Sequence, residues 1–139
     1  MSDRHVFVDT NVLVYAHDAD AGPRHVIAKQ KVKTLWSAPL PPSISVQVLQ
    51  ELYVNLVRKG STSKAARELV TDYFAWDVVP NSADLLRAAM SGVERWRISL
   101  WDSLVIAAAR EAGAGMLWSE DLNEGQDYDG VVVVNPLRS

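Results

Sequence analysis

The chain has 139 residues, a formal net charge of −3, 48% hydrophobic and 22% charged residues, and no cysteine. That length suits one domain with a real core and is too short for two, and the composition is that of a soluble globular protein. The lack of cysteine excludes a disulfide scaffold, a thiolate-ligated zinc site and a thiol nucleophile, and it fits a reducing compartment.

The first element is the apolar run His5-Val6-Phe7-Val8, a predicted strand that stops abruptly at Asp9-Thr10-Asn11, with a short apolar segment over residues 12–16 behind it. Helical spacing over 24–36 predicts a helix. The prolines of Ser37-Ala38-Pro39-Leu40-Pro41-Pro42 then force a loop, because proline lacks the amide hydrogen a helix needs. Ser43-Ile44-Ser45 reads as a short strand leading into a helix over 46–59, which Gly60 terminates. A helix over 63–75 and a strand over 76–79, closed by Pro80, follow. Ser82 caps a helix running to Trp96, and Ser99 caps another running to Ala112 and ended by Gly113. Strands at 116–118 and 131–134 complete the chain.

These strands are continuously apolar rather than alternating, which implies burial on both faces and a parallel sheet covered by helices. The expected fold is therefore α/β, a three-layer α/β/α sandwich around a central, mainly parallel sheet, with residues 1–139 as a single domain. The longest apolar run, residues 104–109, is far too short to span a bilayer, and no signal-peptide stretch opens the chain. A soluble, cytoplasmic protein with no membrane partner is expected.

Four acidic residues stand in informative settings. Asp9 ends the first strand, where open α/β sheets hold ligands, and reads equally as a helix N-cap. Glu51 lies opposite the apolar face formed by Val46, Leu49, Leu52, Tyr53 and Leu56, on a polar stripe with Gln47, Asn55 and Arg58; periodicity leaves open whether that stripe faces water or a cleft. Asp102 opens a helix that is apolar nearly all round, and Ser99-Leu100-Trp101-Asp102 also matches a capping pattern. Asp121 follows a strand, as Asp9 does, among the loop acids Glu120, Glu124, Asp127 and Asp129.

In a parallel sheet, strand C-termini and the starts of the helices that follow share one edge, so the four acids would gather there. Clustered carboxylates repel one another unless protonated or neutralised by cations, and all-oxygen ligation suits Mg²⁺ or Mn²⁺ rather than zinc or copper. The three histidines have no metal-ligand spacing and read as structural. Net charge argues weakly against a nucleic-acid partner. Two basic clusters (Arg24, Lys29, Lys31, Lys33 and Arg58, Lys59, Lys64, Arg67) each read, taken alone, as a solvated helix face, while an acidic site loaded with divalent cations would invert the local sign, so net charge does not decide.

Four stretches carry a resemblance: Val8-Asp9-Thr10-Asn11-Val12-Leu13, the run from Ser45 to Tyr53, the run from Leu100 to Ala109, and the run from Leu117 to Gly125. In that order they resemble the PIN domain, and more narrowly the VapC-type ribonuclease toxins of bacterial toxin–antitoxin pairs. Val132-Val133-Val134-Asn135-Pro136 is similar to that group's last strand. The resemblance implies a metal-dependent endoribonuclease whose acidic quartet is Asp9, Glu51, Asp102 and Asp121. It also implies that Asn11 and Ser119 support the site, that Mg²⁺ or Mn²⁺ is the cofactor, and that RNA is the substrate. A small antitoxin partner and a homodimer are implied as well. The antitoxin would lay an apolar segment into a groove that the five tryptophans could line, although core packing accounts for most of them equally well. Cleavage by a metal-activated water would leave 5′-phosphate and 3′-hydroxyl ends.

Two rival readings stand beside this one. A metal-dependent phosphatase with Asp9 as nucleophile calls for a second Asp two residues later, where this chain has Asn11. A non-catalytic PIN-like module that binds RNA or protein has no need of an intact acidic quartet.

Overall fold

A computed structural model describes residues 5–138. Its strands are β1 (Val6–Val8), β2 (Ser43–Ser45), β3 (Asp77–Val79), β4 (Met116–Trp118), β5 (Asp127–Tyr128) and β6 (Val131–Val134). They form one sheet in the order β3-β2-β1-β4-β6-β5, in which only the β5–β6 pair is antiparallel. The mainly parallel sheet matches the continuous apolar strands: Phe7, Ile44, Leu117 and Val133 are fully buried, one from each of four neighbouring strands.

Six helices cover it: α1 (Thr10–His17), α2 (Pro23–Trp36), α3 (Val46–Arg58), α4 (Ser63–Asp72), α5 (Ala83–Trp96) and α6 (Leu100–Glu111). The first four pack in sequence, α2 on α1, α1 on α3 and α3 on α4, while α5 packs on α6 and α6 also lies on β2, β4 and β6. The sheet is thus the middle of three layers. Side-chain oxygens of Asp9, Ser45, Thr62, Ser82 and Ser99 each accept a backbone N–H at a helix start, satisfying donors that the helix itself leaves free.

Three features depart from the sequence-based order of elements. The eight-residue α1 is a full element, with Thr10, Val12, Leu13, Val14 and Ala16 all buried. A helix this short with so many buried positions leaves no amphipathic period to read. Residues 73–75 tighten into a 3-10 turn instead of prolonging α4, which seats the buried Tyr73 ring against Trp36 and Trp76. Strand β5 is an addition: Asp129 and Gly130, both at positive φ, make the two-residue turn that folds it back on β6.

The chain runs from β1 outward through β2 to β3, then crosses back to place β4 on the other side of β1. The sheet therefore reverses direction between β1 and β4, and a crevice opens there beyond the strand C-termini. No helix among the described residues is long and apolar enough to cross a membrane.

Candidate active-site cleft

The β1–β4 ladder continues one residue past the strands, where the Asp9 amide donates to the Trp118 carbonyl at 2.9 Å. This fixes Asp9 beside Ser119. The Asp9 carboxylate caps α1 by accepting from the Thr10 amide at 2.7 Å, and its other oxygen accepts from the Ser119 hydroxyl at 3.0 Å. Asp9 thus caps α1 and lines the crevice at the same time. Ser119 is fully buried, and its hydroxyl oxygen also accepts from the Asp121 amide at 3.2 Å. One hydroxyl thus ties two acids to the end of β4.

The neighbours of Asp9 hold the remaining acids. The Thr10 hydroxyl donates to Glu51 Oε1 at 2.6 Å, across the gap between α1 and α3. The Asn11 side-chain amide donates to Asp121 Oδ2 at 2.8 Å. Asp102 sits in the first turn of α6, where its amide donates to the Ser99 cap at 3.0 Å and its carboxylate faces the crevice. Asp9, Glu51, Asp102 and Asp121 all line one cleft of about 480 Å³. One wall of it belongs to α3, the other to α6, and the first residues of α1 form part of its lining. The polar stripe of α3 faces this cleft: Gln47, Glu51, Asn55 and Arg58 all line it.

The electrostatics mark these acids off from their neighbours. Burial pushes the Asp9 carboxyl up to about 6; the bonds from Thr10 and Ser119 work against that shift, and the negative charges of Asp121 and Glu51 add to it. Asp121 is also raised, first by burial and then by Asp102, Glu120 and Glu51. Among the described residues none of the four forms an ion pair. The competing loop acids do: Glu120 with Arg24 at 2.7 Å, Glu124 with Arg138 at 2.9 Å, and Asp129 with Arg95 and Arg110. Asp127 accepts from the Gly130 amide in the turn.

The donor set fits a hard divalent cation, since the cleft offers four carboxylates and neither imidazole nor thiolate. Among the described residues no three His, Asp or Glu side chains already converge on one metal position. Three of the acids are instead held by separate donors from Thr10, Asn11 and Ser119. The histidines serve packing: His5 bonds the Ser43 hydroxyl, His17 the Tyr73 hydroxyl and His25 the Tyr15 carbonyl.

Sequence reasoning missed the hydroxyl of Thr10, whose only signal was its place between two site residues. Of the two readings left open for the tryptophans, a groove lining or core packing, packing accounts for Trp76 and Trp96. Trp76 is buried against Trp36 and Tyr73, Trp96 meets Tyr128 edge-on, and Trp101 stands 63% exposed on the cleft. An apolar groove of about 340 Å³ lies between α3 and α4, lined by Val46, Leu49, Tyr53, Val54, Val70 and Phe74 together with Gln50.

A family model described as the PIN domain matches residues 6–123. Among curated proteins, none matches the chain. Among solved structures, it is similar to VapC20 of Mycobacterium tuberculosis, described as a toxin that cleaves the sarcin–ricin loop: 25% identity, TM-score 0.66, covering 84% of this chain and 91% of that one. A toxin–antitoxin complex from Klebsiella pneumoniae aligns with TM-score 0.69 at 21% identity, over 94% of this chain and 97% of that one. VapBC2 of Rickettsia felis, bound to a DNA fragment from its promoter, aligns with TM-score 0.63 at 19% identity, over 93% and 96%. The last two likenesses speak to the fold.

Proposed function

The chain belongs to the PIN domain family, and from that membership and the cleft we propose that it is a divalent-metal-dependent endoribonuclease, the toxin of a toxin–antitoxin pair. The observation that carries this reading is a cleft at the sheet's switch point whose four carboxylates lack any basic partner among the described residues, while Asp18, Glu120, Glu124 and Asp129 are paired with Lys59, Arg24, Arg138, Arg95 and Arg110. The similarity to a toxin described as cleaving the sarcin–ricin loop supports RNA as the substrate class.

Asp9, Glu51, Asp102 and Asp121 would hold one or two Mg²⁺ or Mn²⁺ ions. Such ions neutralise phosphate charge and supply a water of lowered pKa. The chain's own part is to aim the ligands. Ser119 and the Thr10 amide fix both oxygens of Asp9, the Thr10 hydroxyl fixes Glu51, and Asn11 fixes Asp121. Asp102 needs no such donor to reach the cleft, since it stands in the first turn of α6 on the cleft wall. No side-chain base is required, and the products carry 5′-phosphate and 3′-hydroxyl ends.

The proposed protein partners are a second copy of the chain and a small antitoxin. The α3–α4 groove supports the latter, because Gln50 and Val54 line both the groove and the cleft. An apolar segment seated there would end beside the acids.

The deciding experiment incubates the protein with total RNA and Mg²⁺ or Mn²⁺, beside Asp9→Asn and Asp102→Asn variants and an EDTA control. Cleavage that falls at least a hundredfold in each variant and in EDTA, with 5′-phosphate ends by mass spectrometry, is the expected result. Binding without cleavage would favour the non-catalytic module, and 2′,3′-cyclic phosphate ends would exclude the metal–water mechanism.

A further inference from the structure

We propose that Trp101 and Arg58 are the residues with which the cleft grips its RNA, the Trp101 indole stacking on an unpaired nucleobase beside the scissile phosphate and Arg58 holding a backbone phosphate; this builds on the nuclease reading above. Trp101 is 63% exposed although it opens a helix whose later residues Val105, Ile106, Ala108 and Ala109 are buried. Its helix is anchored without it. The ring stands in the same cleft as the acids and is the immediate chain neighbour of Asp102. An indole left open among Gln, Asn, Asp and Glu side chains makes a platform for a flat apolar surface, and every nucleobase has such a face.

Among the described residues Arg58 is the one cation lining the cleft, and it pairs with no carboxylate. Its neighbour Lys59, by contrast, is taken by Asp18 at 3.1 Å. Residues 51, 55 and 58 share one stripe of α3, so Arg58 lies two turns, about 10 Å, along the helix from Glu51. A guanidinium at that distance meets a phosphate adjoining the one under attack, and leaves the acids free for cations. Trp101 on the α6 wall and Arg58 on the α3 wall thus contact base and backbone from opposite layers of the fold. Stacking on a side chain requires a base removed from its own stack, which a duplex does not offer.

The test measures binding of fluorescein-labelled single-stranded (rU)12, and of the same strand annealed to (rA)12, by anisotropy with Ca²⁺ in place of Mg²⁺. Trp101→Ala should weaken single-strand binding on the order of tenfold, as loss of one stacked base does, and leave duplex binding unchanged. Trp101→Phe should recover most of the loss. Arg58→Gln should lower the slope of log K against log salt by about 0.7, the share of one single-strand phosphate. In cleavage, Trp101→Ala should raise KM with kcat little changed, and its melting temperature should match the parent because the ring is exposed. Equal affinity of Trp101→Ala and parent for (rU)12, or equal losses on single strand and duplex, would overturn the proposal. These outcomes are separable from failure of the nuclease reading. Acid-dependent cleavage indifferent to Trp101 sinks this inference alone, whereas Trp101-dependent binding without cleavage sinks the nuclease alone.

Discussion

Asp9 carries two loads, capping α1 and facing the cleft, and its environment puts them in conflict. Its carboxyl is held at about 6 by burial, against roughly 3.9 in an unfolded chain. A carboxyl raised on folding keeps its proton longer in the native state, so its contribution to stability is fully present below about pH 4. It is lost as pH rises through about 6. The metal-free protein is therefore destabilised by Asp9 at pH 8, by an amount on the order of 2–3 kcal/mol if no other group compensates. Asp9→Asn keeps an oxygen to accept from the Thr10 amide and removes the charge, at the cost of a poorer bond with Ser119. Urea unfolding in EDTA should show the variant more stable than the parent by ~1–2 kcal/mol at pH 8, with the gap closing by pH 4. A gap of the same size at both pH values would mean that the charge at Asp9 is not what costs stability. The acid itself was legible from the strand that ends in it. Its capping bond and its hydroxyl partner, 110 positions apart in the chain, were not, because only the β1–β4 pairing brings them together.

Among the elements, α6 matters most to the cleft, since it presents both Trp101 and Asp102, and its position is set by α5. At Gly92 the two helices come so close that a Cβ would stand 2.3 Å from the Ser103 hydroxyl oxygen and 2.9 Å from the Trp96 ring. Ser103 is buried and donates to the Ala89 carbonyl at 2.7 Å, so its hydroxyl cannot swing aside without stranding a polar group. Gly92→Ala should gain about 1 kcal/mol of helix propensity and lose more to overpacking. The net expectation is a loss of ~1–2 kcal/mol by thermal or urea unfolding, with partial rescue by a second change, Ser103→Gly; a stabilised Gly92→Ala would show that the helices separate freely. Ser82 and Ser99 announced both helices in the sequence, but nothing in the pattern told that Gly92 marks their contact. The same limit applies to α3, whose polar stripe was visible by periodicity while its facing a cleft depended on where α6 lies. Strand β5 is the opposite case. Its Asp129-Gly130 turn is a strong hairpin signal, obscured because only two residues, Asp127 and Tyr128, precede it as strand.

On the scale of the whole molecule, the charge of −3 hides an uneven distribution. Loop acids are met by arginines, while the crossing of the chain at β1 and β4 gathers four acids from distant segments and leaves them without basic partners among the described residues. The fold class was readable from strand composition, because burial on both faces leaves a local mark. The site was readable as a set of candidates through motif resemblance, whereas its convergence is a property of topology. Burial first, and then the repulsion of the neighbouring acids, raise Asp9 and Asp121, and a bound divalent cation should relieve both costs. Binding to the native state alone adds about 2.7 kcal/mol when the cation is at a hundred times its Kd. At ~2–4 °C per kcal/mol for a chain approaching 150 residues, Mn²⁺ or Mg²⁺ should raise the melting temperature by roughly 5–10 °C at pH 8. The rise should shrink at pH 5, where a proton on Asp9 competes with the cation, and should largely vanish in Asp102→Asn. Screening alone would also relieve repulsion, so NaCl at matched ionic strength is the control. If NaCl reproduces the whole shift, the cleft binds no cation specifically, and the metal reading of its four carboxylates fails.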